Sequence, residues 1–222
     1  MDIYWLGHSC FRLKGKGSNI IIDPVSPEVG YTIGKLEADI VAVTHQHPGH
    51  NYVQGVGGPV KVVSGPGEYE IGGVFITGVP SFHDDKSGEI RGMNTIFNIE
   101  MDGITVAHLG DLGHVLTSKT AAEIGRVDVL LVPVGGVSTI DAIGAAEVVR
   151  RLSPKWVVPM HYKTPATKRD LDTVDKFLKE MGAKDLISQP RLSVTSTGSQ
   201  TSLQVVLLDY PGGKGQSASA VS

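Results

Sequence analysis

The chain has 222 residues, 41% of them apolar, which is enough for a buried core and excludes wholesale disorder. Twenty basic residues against twenty-three acidic ones leave a net charge of −3, a balance that speaks against a non-specific nucleic-acid binder. Cys10 is the one cysteine, so an internal disulfide and a thiolate zinc cluster are both excluded. Met1–Gly7 lacks the basic start and long apolar run of a signal peptide, and no stretch approaches the roughly 20 apolar residues of a membrane span. A soluble, cytoplasmic protein without membrane association is expected.

In chain order, short β-rich runs bounded by turns come first: 3–6, 10–13, 20–22, 40–43, 60–63 and 74–77. Strands are further predicted over 95–99, 104–107, 129–132 and 156–158, with a last one over 203–208. Helices enter after residue 115. The first is predicted over 118–124, ending at Gly125. A second is predicted over 139–152, with Ile140, Ile143, Ala146, Val148 and Val149 as its apolar stripe and Ser138 with Asp141 as a capping box. Thr167 with Asp170 predicts the opening of a third, whose buried face is Leu171, Val174, Phe177 and Leu178 and whose stop is Gly182. Residues 1–210 read as one layered α/β domain, and 211–222 as a disordered tail of small and polar residues.

The eight histidines carry the functional signal: His8, His45, His47, His50, His83, His108, His114 and His161. Apolar runs end directly in His45, in His83, in His108 with Asp111 three residues on, and in His161. Ligand sites in open sheets form where the carboxyl ends of strands converge. Alternate residues of an extended segment point the same way, which lets His45 and His47 chelate one ion, with His50 three residues further on facing an adjacent one. Neutral imidazole and carboxylate suit Zn²⁺ above all, and also Mn²⁺, Fe²⁺ or Ni²⁺.

Several motifs together resemble a metallo-β-lactamase-fold hydrolase, in the branch that holds the ascorbate-phosphate lactonases. They are Trp5-Leu6-Gly7-His8-Ser9, Thr44-His45-Gln46-His47-Pro48-Gly49-His50, His83, Arg91-Gly92-Met93-Asn94-Thr95, His108-Leu109-Gly110-Asp111 and Pro159-Met160-His161-Tyr162. The resemblance implies a four-layer αββα sandwich, two mixed sheets flanked by helices. It also implies that His45, His47 and His83 hold one metal ion, that Asp111 bridges, and that His50 and His161 serve a second ion. One position departs from the family pattern, His-x-His-x-Asp-His: its aspartate falls on Gly49. One firmly held ion and a second position that is weak or empty are therefore expected.

The expected activity is metal-dependent hydrolysis of a small ester, lactone or phosphorylated metabolite by a metal-activated water. Asp111 is the candidate to orient that water or take its proton, and His114 the candidate proton donor to the leaving group. His108 is expected outside the metal's reach, as a supporting hydrogen-bond partner. His8 and Asn94 are further candidates to line the cleft, with Glu68 and Tyr69 at its border and Tyr162 and Lys163 beside a ligand. The competing readings are a phosphodiesterase or nuclease, and a metal-binding protein without turnover. An iron- and flavin-dependent oxidoreductase ranks last, since no flavin domain is evident.

Overall fold

The computed structural model describes residues 1–196 and 202–213. The strands of the first half are β1 (Asp2–Gly7), β2 (Cys10–Lys14), β3 (Asn19–Ile22), β4 (Leu36–Glu37), β5 (Ile40–Val43), β6 (Val56–Gly57), β7 (Lys61–Ser64) and β8 (Gly67–Ile71). Those of the second half are β9 (Val74–Phe82), β10 (Met93–Met101), β11 (Ile104–His108), β12 (Val129–Pro133), β13 (Trp156–Met160), β14 (Leu192–Ser193) and β15 (Gln204–Val205). The α-helices are α1 (Ser118–Ile124), α2 (Ala142–Leu152) and α3 (Val174–Glu180).

Two mixed sheets dominate, in the order β14-β1-β2-β3-β5-β7 and β15-β13-β12-β11-β10-β9-β8. Side chains of both sheets merge into one apolar cluster that includes Phe11, Ile21 and Val41 from the first and Phe97, Val106 and Leu131 from the second. Strands β5 and β12 are buried along their whole length, and so read as unbroken apolar runs rather than alternating ones. Helix α1 packs on β9 and β10, and α2 on β12 and α3. This is the α/β sandwich that the resemblance implies, with few and short helices. None of the described helices is long and apolar enough to cross a membrane.

The topology aims the chemistry at one place. Pairing directions make β1, β3 and β5 run one way in the first sheet, and β9, β11, β12 and β13 run one way in the second. The residues following the carboxyl ends of six of these strands are His8, Asp23, His45, His83, the turn to Asp111, and His161. Three of them, His8 (φ 55°), Asp23 (φ 47°) and His161 (φ 55°), stand in the left-handed region. Non-glycine residues there cost of order 1–3 kcal/mol each, a strain that clusters at functional sites.

Several boundaries differ from the sequence expectations. Helix α2 starts at Ala142, not 139: Asp141 is its cap and accepts the Gly144 N–H at 2.8 Å, while Ser138 lies in a turn closed on the Gly136 carbonyl. Its buried face is Ala145, Ala146, Val148, Val149 and Leu152, and Ile143 faces solvent. Helix α3 begins only at Val174. The segment before it is spent on long-range bonds, Lys168 N–H to the Val29 carbonyl and Asp172 N–H to the Gly135 carbonyl, which a helix would not permit. The last predicted strand is cut to Gln204–Val205, because the chain then crosses to pair Leu208 with Gln189. Residues 67–71, outside the predicted strands, form the edge strand β8. Of the predicted tail, 211–213 form a turn closed by the Tyr210–Gly213 pair, and 214–222 lie outside the described residues.

Candidate metal centre

The carboxylate of Asp111 is the hub. Its Oδ2 lies 3.1 Å from His50 Nε2, 3.2 Å from His83 Nε2, 3.3 Å from His161 Nε2 and 3.8 Å from His45 Nε2. Its Oδ1 accepts the Ser9 hydroxyl at 3.4 Å. The turn that presents it is built for close approach. Gly110 has φ +57°, and a Cβ there would collide with Asn94 Oδ1 and press on Thr44. Asn94 Oδ1 takes the Asp111 N–H, and its amide nitrogen donates to Ser81 Oγ and the Leu109 carbonyl. Asn94 thus stands behind Asp111 and holds it, rather than lining the cleft.

Ligand-type atoms of His45, His47 and His83 lie within 4.8 Å of one another, as do those of His8, His50 and His161. The structure therefore brings together all six of the expected ligands, five of them buried and His47 exposed. Burial, then the neighbouring His50, depresses His45 to about 3. Burial together with His161 and His50 puts His8 well below the usual imidazole range, and burial with His83 lowers His47. These rings are neutral and offer lone pairs. His50 goes the other way. Burial would lower it, but the charges of Asp111 and Asp23 and its hydrogen bonds to both raise it to about 10. Asp111, despite burial, is held well below the carboxylate range by His161 and His50.

Asp23 was not among the residues expected from the sequence. It is fully buried, and its Oδ1 accepts the Thr44 N–H at 2.8 Å. Its Oδ2 accepts the Thr44 hydroxyl at 2.7 Å and His50 Nδ1–H at 2.8 Å. With its proton so committed, Thr44 Oγ1 accepts from His45 Nδ1–H at 3.0 Å. One carboxylate thereby fixes the tautomers of two histidines and turns both Nε2 atoms towards Asp111. Outer hydrogen-bond partners of this kind orient metal ligands and raise their basicity. The signal existed in the sequence, since Ile20-Ile21-Ile22 ends in Asp23 just as the other runs end in histidine.

Other expected residues sit elsewhere. Both nitrogens of His108 are taken: Nε2–H donates to the Ser9 carbonyl at 2.8 Å, and Nδ1 accepts the Gly110 N–H at 3.0 Å. His108 braces the hub from the core and has no lone pair to spare. His114 is also tied at both nitrogens, Nε2 to the Phe82 N–H and Nδ1 to the Val115 carbonyl. It borders a neighbouring pocket rather than this cleft. Glu68 is exposed on β8, and Tyr69 Oη donates to main-chain carbonyls of 64–66. Tyr162 is buried against Trp5 with ring centres 5.0 Å apart, and Lys163 Nζ donates to the Arg169 carbonyl.

The hub floors a cleft of about 500 Å³. Its lining includes two arginines, Arg91 and Arg169, beside one acid, Asp170, and Arg91 Nη2 donates to the Val137 carbonyl. Arg91 stands on a loop wound around Asp84, whose buried carboxylate accepts the N–H groups of Lys86, Gly88, Ile90 and Arg91 at 2.7–3.0 Å. Against the cost of burial, those four bonds pull Asp84 down to about 2.

Buried imidazoles, those of His45 and His50 with their outer nitrogens committed, an ionised carboxylate at their focus and a buried His45 Nε2 without a hydrogen-bond partner among the described residues form a donor set that fits divalent metal. Known proteins agree. The sequence profile of the beta-lactamase superfamily domain matches residues 2–161. A protein of Methanoculleus marisnigri named UPF0173 metal-dependent hydrolase is 35% identical over 205 residues, covering 81% of this chain and 89% of its own. One of the same name from Archaeoglobus fulgidus is 29% identical over 219 residues, covering 82% and 92%. Among solved structures, a candidate Zn-dependent hydrolase of the metallo-β-lactamase superfamily from Thermotoga maritima is 41% identical, covers 94% of this chain and 98% of its own, and superposes with a TM-score of 0.79. The chain belongs to the metallo-β-lactamase superfamily and, within it, to the UPF0173 metal-dependent hydrolases.

Proposed function

We propose that the chain hydrolyses a small, negatively charged ester, lactone or phosphorylated metabolite, with Zn²⁺ as the physiological ion. The observation that carries this reading is the convergence of four histidine Nε2 atoms on one Asp111 oxygen at the floor of a cleft edged by Arg91 and Arg169. His45, His47 and His83 would hold a first metal ion, and Asp111 with His50 and His161 would hold a second. The imidazole-rich set favours zinc, iron or nickel over manganese. When bound, the metal supplies a Lewis acid and brings the pKa of water towards neutrality.

The rest is the chain's own work. Asp111 stays ionised, and its carboxylate is placed to orient the attacking water. Arg91 and Arg169 pair with a carboxylate or phosphate on the substrate and fix which bond lies over the hub. A cleft of this volume admits a metabolite-sized molecule, and together with the net charge of −3 it disfavours a polynucleotide.

A panel of neutral and anionic esters, lactones, phosphomonoesters and phosphodiesters, assayed with added Zn²⁺, tests this. Anionic members should exceed matched neutral ones in kcat/KM by about tenfold or more, the worth of roughly 1.4 kcal/mol of charge pairing. Arg91→Gln and Arg169→Gln should erase that preference, chiefly through KM. Equal turnover of neutral substrates, or a preference for polynucleotides, would overturn the substrate class. Metal uptake with no turnover across the panel would favour a binding protein.

A further inference from the structure

We propose that His8 is a ligand of the second metal position, occupying the place of the aspartate that the family pattern puts at Gly49. The proposal rests on the reading that Asp111, His50 and His161 hold metal, and adds a donor that the motif does not contain. Ligand-type atoms of His8, His50 and His161 lie within 4.8 Å of one another, and all three side chains are buried. The His8 ring is 4.1 Å from that of His161 and 5.0 Å from that of His50. A buried imidazole so placed normally finds a hydrogen bond, yet His8 Nδ1 has none among the described residues.

Gly49 supplies the second, independent observation. A Cβ at Gly49 would stand 3.0 Å from His8 Nε2 and 3.2 Å from its Cδ2. The imidazole therefore fills the space that an aspartate side chain at position 49 would enter first. Gly49 is not among the residues of positive φ, so no backbone conformation requires glycine there. Room for the ring does. Glycine at 49 and histidine at 8 are two halves of one exchange, in which a ligand from the loop after β5 is traded for one from the loop after β1.

The backbone holds His8 in place at a cost. Its φ of 55° is one an L-residue seldom takes, and its carbonyl is pinned from two sides, by Trp5 Nε1–H at 2.9 Å and by the His161 N–H at 3.1 Å. The exchange also sets the metal preference. Three imidazole ligands and one shared carboxylate make a site with one less negative charge than the family pattern, which moves selectivity from Mn²⁺ towards Zn²⁺, Co²⁺ or Ni²⁺. On this account the second position is complete rather than the weak one that a bare Gly49 implies.

Calorimetric titration of the metal-free protein with Zn²⁺, checked by elemental analysis, reads this out without any substrate. Wild type should take up two ions per chain. His8→Phe keeps a ring stacked on His161 but offers no lone pair. It should keep the first ion and weaken the second by more than about 100-fold, beyond the 10–100-fold expected of an outer hydrogen-bond partner. His8→Ala with Gly49→Asp should restore two-ion binding and raise the affinity for Mn²⁺ relative to Zn²⁺. Should the variants fail to fold, zinc-loaded wild-type crystals decide, with a His8 nitrogen expected at about 2.0–2.1 Å from the second ion. Two ions bound equally well by wild type and His8→Phe, a wild type that holds only one, or a second ion out of bonding reach of His8 would each overturn the proposal. Absence of any bound metal would instead overturn the reading beneath it.

Discussion

Asp111→Asn is expected to abolish most of the activity while leaving the sandwich folded, lowering kcat/KM on the order of 10³-fold, about 4 kcal/mol of transition-state stabilisation. The amide keeps the shape of the carboxylate but neither its charge nor its capacity to take a proton, and four histidine Nε2 atoms face that oxygen. The metal-free variant carries its own signature. In the metal-free wild type, His50 is raised to about 10, chiefly by Asp111, so its proton stabilises the folded state fully below the unfolded value near 6.5. That contribution is lost as pH rises through about 10. Removing Asp111 should lower the thermal midpoint of the metal-free protein by the equivalent of about 3–5 kcal/mol near neutral pH, with the gap to wild type narrowing above pH 10. An unchanged midpoint at pH 7 together with wild-type turnover would place the hub elsewhere.

The second large effect belongs to Asp23, whose carboxylate is spent on hydrogen bonds to Thr44 and His50. Asp23→Ala strips the partners from His50 Nδ1, the Thr44 N–H and the Thr44 hydroxyl in one step, all of them buried. Breaking a buried charged network by removing one partner costs about 3–5 kcal/mol, to be read from denaturant unfolding of the metal-free protein. The ring of His50 and, through Thr44, that of His45 also lose the bonds that fix their tautomers, so zinc affinity should fall about 10–100-fold. Asp23→Asn retains the shape and tolerates the positive φ, and should recover part of the stability but less of the affinity. If both variants bound zinc as wild type does, Asp23 would be a packing residue only.

What the sequence made legible follows from how the sheets are built. Strands buried on both faces are unbroken apolar runs, so the first chemical residue after each run stands out, and His45 and His161 were visible for that reason, whereas His83 follows a strand of alternating burial. Parallel strand directions then bring those ends to one edge, which the runs alone do not show. Asp23 carries the same signal, but it follows a run of only three apolar residues, Ile20-Ile21-Ile22. Helix boundaries were less legible, because Leu171, Val174, Phe177 and Leu178 have helical spacing whether or not the first of them lies in the helix. Only the tertiary bonds of Lys168 and Asp172 decide that it does not. His114 and Tyr162 show the other limit: spacing places a residue near a ligand but is silent on whether its polar atoms are already bonded or its ring already packed. Arg169 reaches the cleft from a loop far along the chain, and no local pattern announces it.

The central claim is that hydrolysis depends on metal held by the histidines around Asp111. Stripping the purified protein with a chelator, confirming the loss by elemental analysis, and assaying before and after adding back Zn²⁺ tests it most directly. The account predicts that turnover disappears with the metal and returns as zinc reoccupies the site. A metal-free chain that hydrolyses its substrate as fast as the reconstituted one would contradict it.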